Sequence, residues 1–308
     1  MQRTSIPFIA GHARAFRIAA TAFGLTTLLT LSGCAHWRAT TAPQPAWPDR
    51  LQTLLPADVL LLGEQHDAAD HQRLQREAVL WLAARHQLAA LVLEMAERGH
   101  TTAGLPPGAT EAEVQKALGW NDTAWPWKAY GPVVMAAVGA GAPVLGGNLP
   151  RSRMRAAMGE TAWDQHLPAP ALQRQYTALR DGHCGLLPET QMAPMARIQI
   201  ARDASMAQTA QEAVRPGQTV VLVAGGGHVL RSLGVPTHWP ANLVSKVALA
   251  QAGQALPAIN SDADTVVSTP APPAKDHCAE LRKQWSPRAP TPLAPSGPSA
   301  PSAPSAPQ

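Results

Sequence analysis

The chain has little charge and few tyrosines. Asp, Glu, Lys and Arg make up 15% of its 308 residues, the formal net charge is +4, and there are only two tyrosines. The positive charges are spread along the chain, and no block of Lys and Arg occurs. Because nucleic-acid binding needs a concentrated basic patch, this composition excludes a nucleic-acid partner.

The N-terminal segment lacks acidic residues before Asp49, and it lacks an apolar run long enough to cross a bilayer. Basic residues precede an apolar stretch over residues 18–31, which is shorter than the roughly 20 residues that a membrane-spanning helix needs. This order is typical of a secretory signal. It ends in a Leu-Ser-Gly-Cys sequence at Cys34 that resembles the bacterial lipobox, which implies cleavage before Cys34 and lipidation of that cysteine. An uncleaved membrane anchor and an ordinary secretory signal are the alternatives.

Residues 1–33 are therefore interpreted as a lipoprotein signal peptide. Ala35 follows Cys34, where an Asp would disfavour transport outward, so we expect a lipid-anchored protein of the outer membrane that faces the periplasm. Residues 34–50 are proline-bearing and predict a flexible spacer. Residues 286–308 consist largely of Pro, Ala and Ser and predict a disordered tail, which leaves residues 51–285 as the folded domain.

Only three cysteines are present, and lipidation of Cys34 leaves Cys184 and Cys278. An exported protein meets an oxidising compartment, in which an even pair of cysteines usually forms a bridge. We therefore expect a Cys184–Cys278 disulfide, with two free buried thiols as the alternative.

Short apolar runs of strand length alternate with helical patterns. The runs are Val59–Leu62, Ala89–Leu93, Pro143–Leu145 and Val220–Ala224. Their continuous apolarity indicates strands buried on both faces, as in a parallel sheet. Helices are expected over residues 67–85, with Asp67 as the N-cap, and near 111–118, 130–140, 151–158, 170–180 and 191–213, while 244–250 and 265–268 are expected as edge strands. The sequence predicts an α/β fold with a mostly parallel central sheet flanked by helices, with additional helical segments.

Polar side chains follow each of the four apolar runs. The runs end in Gly63-Glu64-Gln65-His66, in Glu94-Met95, in Gly146-Gly147-Asn148 and in Gly225-Gly226-Gly227-His228. Because ligands in open α/β sheets bind outside the carboxyl ends of the strands, we expect these segments to converge on one crevice. The glycine run lacks the Lys and Ser/Thr of a phosphate-binding loop, so nucleotide binding is only weakly supported.

These polar residues also have structural interpretations. Buried Glu64 and Glu94 would have to pair with a cation such as Arg151 if they did not serve a site, because an unpaired buried carboxylate is costly. His66 alone could simply begin a helix. Arg202 and Asp203, adjacent in a predicted helix, are interpreted as members of ion pairs rather than as a catalytic couple.

An ordered set of residues resembles the ChaN-like haem-binding lipoprotein family, which belongs to a wider group with erythromycin-esterase-like and Tiki-like proteins. The resemblance covers roughly residues 50–250. Its residues are Gly63 to His66 with His71, Leu93 to Met95, Tyr130 with Trp125 and Trp127, Asn148 before Arg151, Gln199 to Ala207, Ala224 to His228, and Gly234 to Pro236.

The resemblance implies an iron-regulated outer-membrane lipoprotein that binds haem, forms a dimer holding two stacked haems and cooperates with a haem receptor in uptake. In the family, a tyrosine assisted by histidine is held to bind the iron, and a tyrosinate oxygen suits ferric haem. Tyr130 is the first candidate ligand and Tyr176 the second; the alternative for Tyr130 is a core ring. The implied haem-binding set is Tyr130, His66, His71, Glu64, Glu94, Asn148, Arg151 and His228.

Two other functions stay open. The first is an extracytoplasmic hydrolase in which Glu64 is the general base, His66 and His228 bind a divalent metal or carry protons, and Glu94 is a further ligand or acid. The second is a scaffold whose crevice has lost its activity. The leading hypothesis, haem binding, does not require an enzyme.

Overall fold

Six strands form one sheet in a computed structural model, which describes residues 45–253 and 261–285. The strands are β1 (Val59–Glu64), β2 (Leu88–Glu97), β3 (Val144–Asn148), β4 (Thr219–Gly225), β5 (Ser245–Ala252) and β6 (Thr265–Thr269). They pair in parallel in the order β3-β2-β4-β1-β5-β6. The α/β fold with a parallel sheet is confirmed. The expectation that residues 244–250 form an edge strand is wrong, because β5 pairs with both β1 and β6; β6 is the edge.

The helices pack on both faces of this sheet. They are α1 (Trp47–Leu54), α2 (Ala69–Ala83), α3 (Glu111–Ala117), α4 (Trp127–Gly139), α5 (Arg151–Gly159), α6 (Ala169–Gly182), α7 (Met192–Glu212), α8 (Gly226–Val229) and α9 (His277–Trp285). Short 3-10 helices cover Thr161–Gln165, Glu189–Gln191 and Val235–His238. The expected N-cap at Asp67 is wrong, since α2 is preceded by Ala68, which makes no side-chain capping bond.

Helix α1 lies partly within the segment expected to be a spacer. The Trp47 side chain is buried, and its indole nitrogen donates to the Leu74 carbonyl oxygen at 2.9 Å. Residues 47–50 therefore belong to the packed domain, and the spacer prediction extends too far towards the C-terminus.

Alternate residues of each strand enter two separate cores. Leu60, Leu91 and Val221 pack in the core beneath α1 to α4, whereas Leu61 and Leu222 face the opposite core against α7. This alternation follows from the period of two in a strand, and both faces are apolar because helices cover both. Each fully buried Leu contributes about 1.5–3 kcal/mol relative to an exposed one. The packed sheet thus fixes the positions of the polar residues at its carboxyl edge.

A disulfide joins the end of α6 to α9, as expected. Cys184 and Cys278 lie 94 residues apart in sequence, and their Cα atoms are 5.6 Å apart, within the usual range for a bridge. Within the described ranges, no helix is long and apolar enough to cross a membrane. The predicted signal peptide (residues 1–33), Cys34 and the predicted tail of residues 286–308 lie outside the described residues.

Candidate functional site

The carboxylate of Glu64, the last residue of β1, is buried and accepts four hydrogen bonds. One oxygen accepts from the Tyr130 hydroxyl at 2.7 Å and from His66 Nδ1 at 2.8 Å. The other accepts from the Gln72 and Gln75 side-chain amides at 2.7 and 2.6 Å. Residues three apart share one helix face, so α2 presents both glutamines to the strand end. These donors offset the cost of burying the carboxylate.

His66 is held with one ring nitrogen open. Because a carboxylate only accepts, the Nδ1 that contacts Glu64 carries the proton, and in the neutral ring Nε2 keeps its lone pair. The His66 side chain is 42% exposed, and the Trp125 ring lies edge-on to it with centroids 4.8 Å apart. Burial lowers the pKa of His66, but the Glu64 hydrogen bond and the charge of Glu94 outweigh it and raise that pKa overall.

Gly225, at the end of β4, packs closely beside this nitrogen. A Cβ at Gly225 would lie 3.0 Å from His66 Nε2 and 3.5 Å from Glu94 Oε2. The backbone of Gly225 has φ −55°, so the glycine is not required by strain; its lack of a side chain lets the end of β4 approach His66 and Glu94 closely.

Tyr130 is not placed as an open ligand. Its side chain is 1% exposed, its hydroxyl donates to Glu64, and the Trp125 ring packs edge-on against it at 5.9 Å. Burial, followed by the negative charge of Glu64, raises the pKa of Tyr130 and disfavours the phenolate. This placement does not favour the prediction of Tyr130 as the first iron ligand: the ring lies in the core, and its hydroxyl bonds a carboxylate.

Glu94, on β2, is buried and paired with a cation. One oxygen accepts from Arg202, and the other accepts from the Gly225 backbone N–H at 2.7 Å. Asn148, at the end of β3, donates to the Glu94 carbonyl oxygen at 2.8 Å and accepts from Arg202 Nε at 2.9 Å. Burial raises the pKa of Glu94, but the charges of His228 and Arg202 outweigh it and lower that pKa.

His228 lies between two carboxylates. Its Nδ1 is 2.6 Å from Asp203 Oδ1, and its Nε2 is 3.5 Å from Glu94 Oε1. Burial lowers the pKa of His228, but Asp203 and Glu94 outweigh it and raise that pKa, so the imidazolium is favoured. Burial raises the pKa of Asp203. Arg202 and Asp203 are thus ion-pair residues, as expected, but they pair separately with Glu94 and His228 within the site.

Two expected site residues lie elsewhere. Arg151 is 70% exposed and approaches Glu97 only at 3.9 Å, so it is not the cation for the buried glutamates. His71 is fully buried: its Nδ1 accepts from the Gln65 N–H at 2.9 Å, and its Nε2 then donates to Thr269 Oγ1 at 2.9 Å. Burial lowers the pKa of His71, which keeps the ring neutral. His71 therefore ties the end of β1 to β6.

Tyr176, the second candidate ligand, is half-buried on α6 beside the cluster that contains Leu179 and Ala196. Its hydroxyl has no hydrogen-bond partner among residues 45–253 and 261–285. The charge of Tyr176 contributes to raising the pKa of Arg197, so these two side chains lie near each other.

Sequence reasoning missed the two glutamines that surround Glu64. Gln72 and Gln75 are polar residues beside the apolar face of α2, and that position was their only signal. Over the described part of the chain, no group of three or more His, Cys, Asp or Glu side chains is placed to hold a metal ion. The divalent metal of the hydrolase hypothesis therefore has no ligand set there. The open lone pair of His66 can instead accept a proton or bind an iron that a cofactor brings.

Comparisons with known proteins agree with this fold. A family model described as haem-binding uptake, Tiki superfamily, ChaN matches residues 50–238, more than half of the chain. A solved structure of ChaN of Campylobacter jejuni, described as cofacial haem binding, is 24% identical, with a TM-score of 0.57, covering 67% of this chain and 86% of that one. The type III effector HopBA1 is 14% identical, with a TM-score of 0.42 over 75% and 96% of the two chains. Among curated proteins, none is significantly similar to this chain.

Proposed function

The chain belongs to the haem-binding uptake family of ChaN, in the Tiki superfamily, and from this premise we propose that it binds haem at the carboxyl edge of its sheet. The proposal rests chiefly on one observation, the open Nε2 of His66. A histidine that binds a metal almost always donates its other ring N–H to a carboxylate, carbonyl or water, which fixes the tautomer and raises the basicity of the free nitrogen. The Glu64–His66 pair, 2.8 Å apart, has this arrangement.

The surroundings of His66 suit a haem. Gly225 places no side chain beside Nε2, and Trp125 supplies an aromatic wall. A bound haem would bring the iron and its redox chemistry; the protein supplies a ligand and controls its protonation. Glu64 keeps the proton on Nδ1, so the neutral ring presents Nε2 to an iron; because the pKa of His66 is raised, protonation of Nε2 competes with iron binding as the pH falls. Tyr176 is the second candidate ligand, because its hydroxyl is not engaged by any described residue.

Lipidation and dimerisation belong to the same proposal. The lipobox-like sequence at Cys34 supports a lipid anchor, and an outer-membrane location would suit a role in haem or iron uptake beside a haem receptor. The Campylobacter protein is described as binding haem cofacially, and face-to-face haems fit an open crevice covered by a second copy. The Cys34→Ser variant should lose membrane fractionation; unchanged membrane association would contradict the anchor.

Ferric-haem titration tests the haem proposal. We expect a saturable shift of the Soret band, with an affinity at least about tenfold weaker in His66→Ala. His277→Ala, at an exposed histidine that begins α9, is the matched control and should bind as the wild type does. Equal affinities for all three proteins would refute His66 as the ligand.

The same dyad favours a second candidate, a hydrolase. Here the roles differ from those expected from sequence: Glu64, which accepts four hydrogen bonds, orients His66, and His66 Nε2 takes the proton from an attacking water. Hydrolysis of p-nitrophenyl butyrate, abolished in His66→Ala and retained in His277→Ala, would support this function. No turnover above the buffer rate would contradict it.

A further inference from the structure

A cleft separate from the His66 crevice lies between α5 and α7. It has a volume of about 430 Å³, and its lining includes Arg98, Arg153, Glu160, Trp163, Ala157, Ala201 and Ala204. Small-molecule sites occupy roughly 300–1,000 Å³, so the cleft has the size of one. None of the residues that surround His66 Nε2 lines it.

Small side chains keep the cleft open. Ala201 and Ala204 are three residues apart and share one face of α7, while Ala157 is on the opposing helix α5. Leucines at these positions would fill the space between the helices, whereas alanines leave an apolar floor. The half-buried Trp163 adds an aromatic wall, and its indole N–H is fixed by Glu160 at 3.1 Å.

Two arginines and one glutamate give the cleft its charge; the Glu160 carboxylate also lines it and accepts from the Trp163 indole N–H. Arg98 is held against α7, donating to Gln208 and, at 2.8 Å, to Glu212; its guanidinium is therefore preorganised, with donors to spare. Arg153, in the first turn of α5, is exposed, and its guanidinium has no partner among the residues that the structure describes. No acidic residue lies in that turn to neutralise the positive helix end.

We infer that this cleft binds a small organic anion that has an apolar body, such as an aromatic carboxylate. The apolar body would lie on the alanine floor against Trp163. The carboxylate would accept hydrogen bonds from Arg153 and from the remaining donors of Arg98. A guanidinium suits a carboxylate because it can donate two parallel bonds.

Isothermal titration calorimetry with 2-naphthoate tests this site. We expect saturable 1:1 binding, weakened at least about tenfold in Arg153→Gln, because a charge-assisted bond is lost. Arg155→Gln is the matched control: it removes an exposed arginine of the same helix that does not line the cleft, and we expect less than about a twofold change at physiological salt. Acetate, which lacks the apolar body, should show no measurable binding.

Ala204→Leu tests the location independently, since the larger side chain would occupy the cleft and should abolish 2-naphthoate binding. Absence of saturable binding to the wild type, equal weakening by the two arginine variants, or unchanged binding to Ala204→Leu would each overturn the inference. Haem affinity should be unaltered in Arg153→Gln, so failure of this site and failure of the haem proposal are distinguishable.

Discussion

Replacing Tyr130 by Phe separates a structural role from iron ligation. The substitution removes a single hydroxyl, which donates to the buried Glu64 carboxylate at 2.7 Å, and leaves a ring of nearly the same shape. A hydrogen bond to a charged group contributes about 1.5–3 kcal/mol. Since three donors to Glu64 remain in the variant, we expect the free energy of unfolding to fall by about 2 kcal/mol, near the lower end of this range.

Urea unfolding followed by circular dichroism measures this loss. With a denaturant slope of about 2 kcal/mol per M, the midpoint of Tyr130→Phe should fall by roughly 1 M. Ferric-haem affinity should stay within about threefold of the wild type, because the Tyr130 hydroxyl is engaged by Glu64 and approaches His66 on its Nδ1 side, at 3.4 Å. The reasoning would be refuted if haem binding were lost while the unfolding midpoint did not move, since Tyr130 would then be a ligand without a structural role.

Three further predictions concern the crevice, the pH dependence of stability and the disulfide. Gly225→Ala should weaken haem binding at least about tenfold in the Soret titration, whereas Gly227→Ala, where a Cβ meets open space, should not change it; equal effects would contradict the crevice geometry. Burial, followed by the neighbouring His166, lowers the pKa of His238 from 6.5 to about 3. As the pH falls, this histidine is protonated in the unfolded chain before it is protonated in the folded one, so the free energy of unfolding decreases below pH 6.5. Phe cannot titrate, so between pH 7.5 and 4.5 the free energy of unfolding, measured with urea, should fall by roughly 2–3 kcal/mol less in His238→Phe than in the wild type. Equal decreases in the two proteins would contradict this. Replacing Cys184 and Cys278 by Ser removes a bridge between residues 94 apart, which frees the unfolded chain and should lower the free energy of unfolding by about 4–5 kcal/mol in the same assay. A decrease below about 1 kcal/mol would contradict this argument from chain entropy.

The buried strands were predictable because their apolarity is local information. Val59–Leu62 and Val220–Ala224 are continuous apolar runs, and both became strands covered on both faces. The position of β5 in the sheet was not predictable in the same way. Val247 and Leu249 indicate a buried strand, but they do not indicate which strands pair with it. Strand order depends on pairings between distant segments, which no single window of sequence contains.

The partners of the buried carboxylates show the same limit. The cost of burying Glu94 predicts a cation such as Arg151, whereas the cation in the structure is Arg202 of α7. The family resemblance implies a tyrosine at the iron, and Tyr130 is the first candidate because it lies in the tryptophan-rich segment that carries the resemblance. Only the three-dimensional contact with Glu64 shows that its hydroxyl is already used.

The central claim, that His66 Nε2 binds the haem iron, is tested most directly by pulsed electron paramagnetic resonance of the ferric-haem complex labelled with ¹⁵N-histidine. The account predicts ¹⁵N coupling from a protein imidazole in the wild type, absent in His66→Ala, with haem binding to that variant restored by added imidazole. A spectrum without imidazole coupling that is unchanged in His66→Ala and lost in Tyr176→Phe would contradict it.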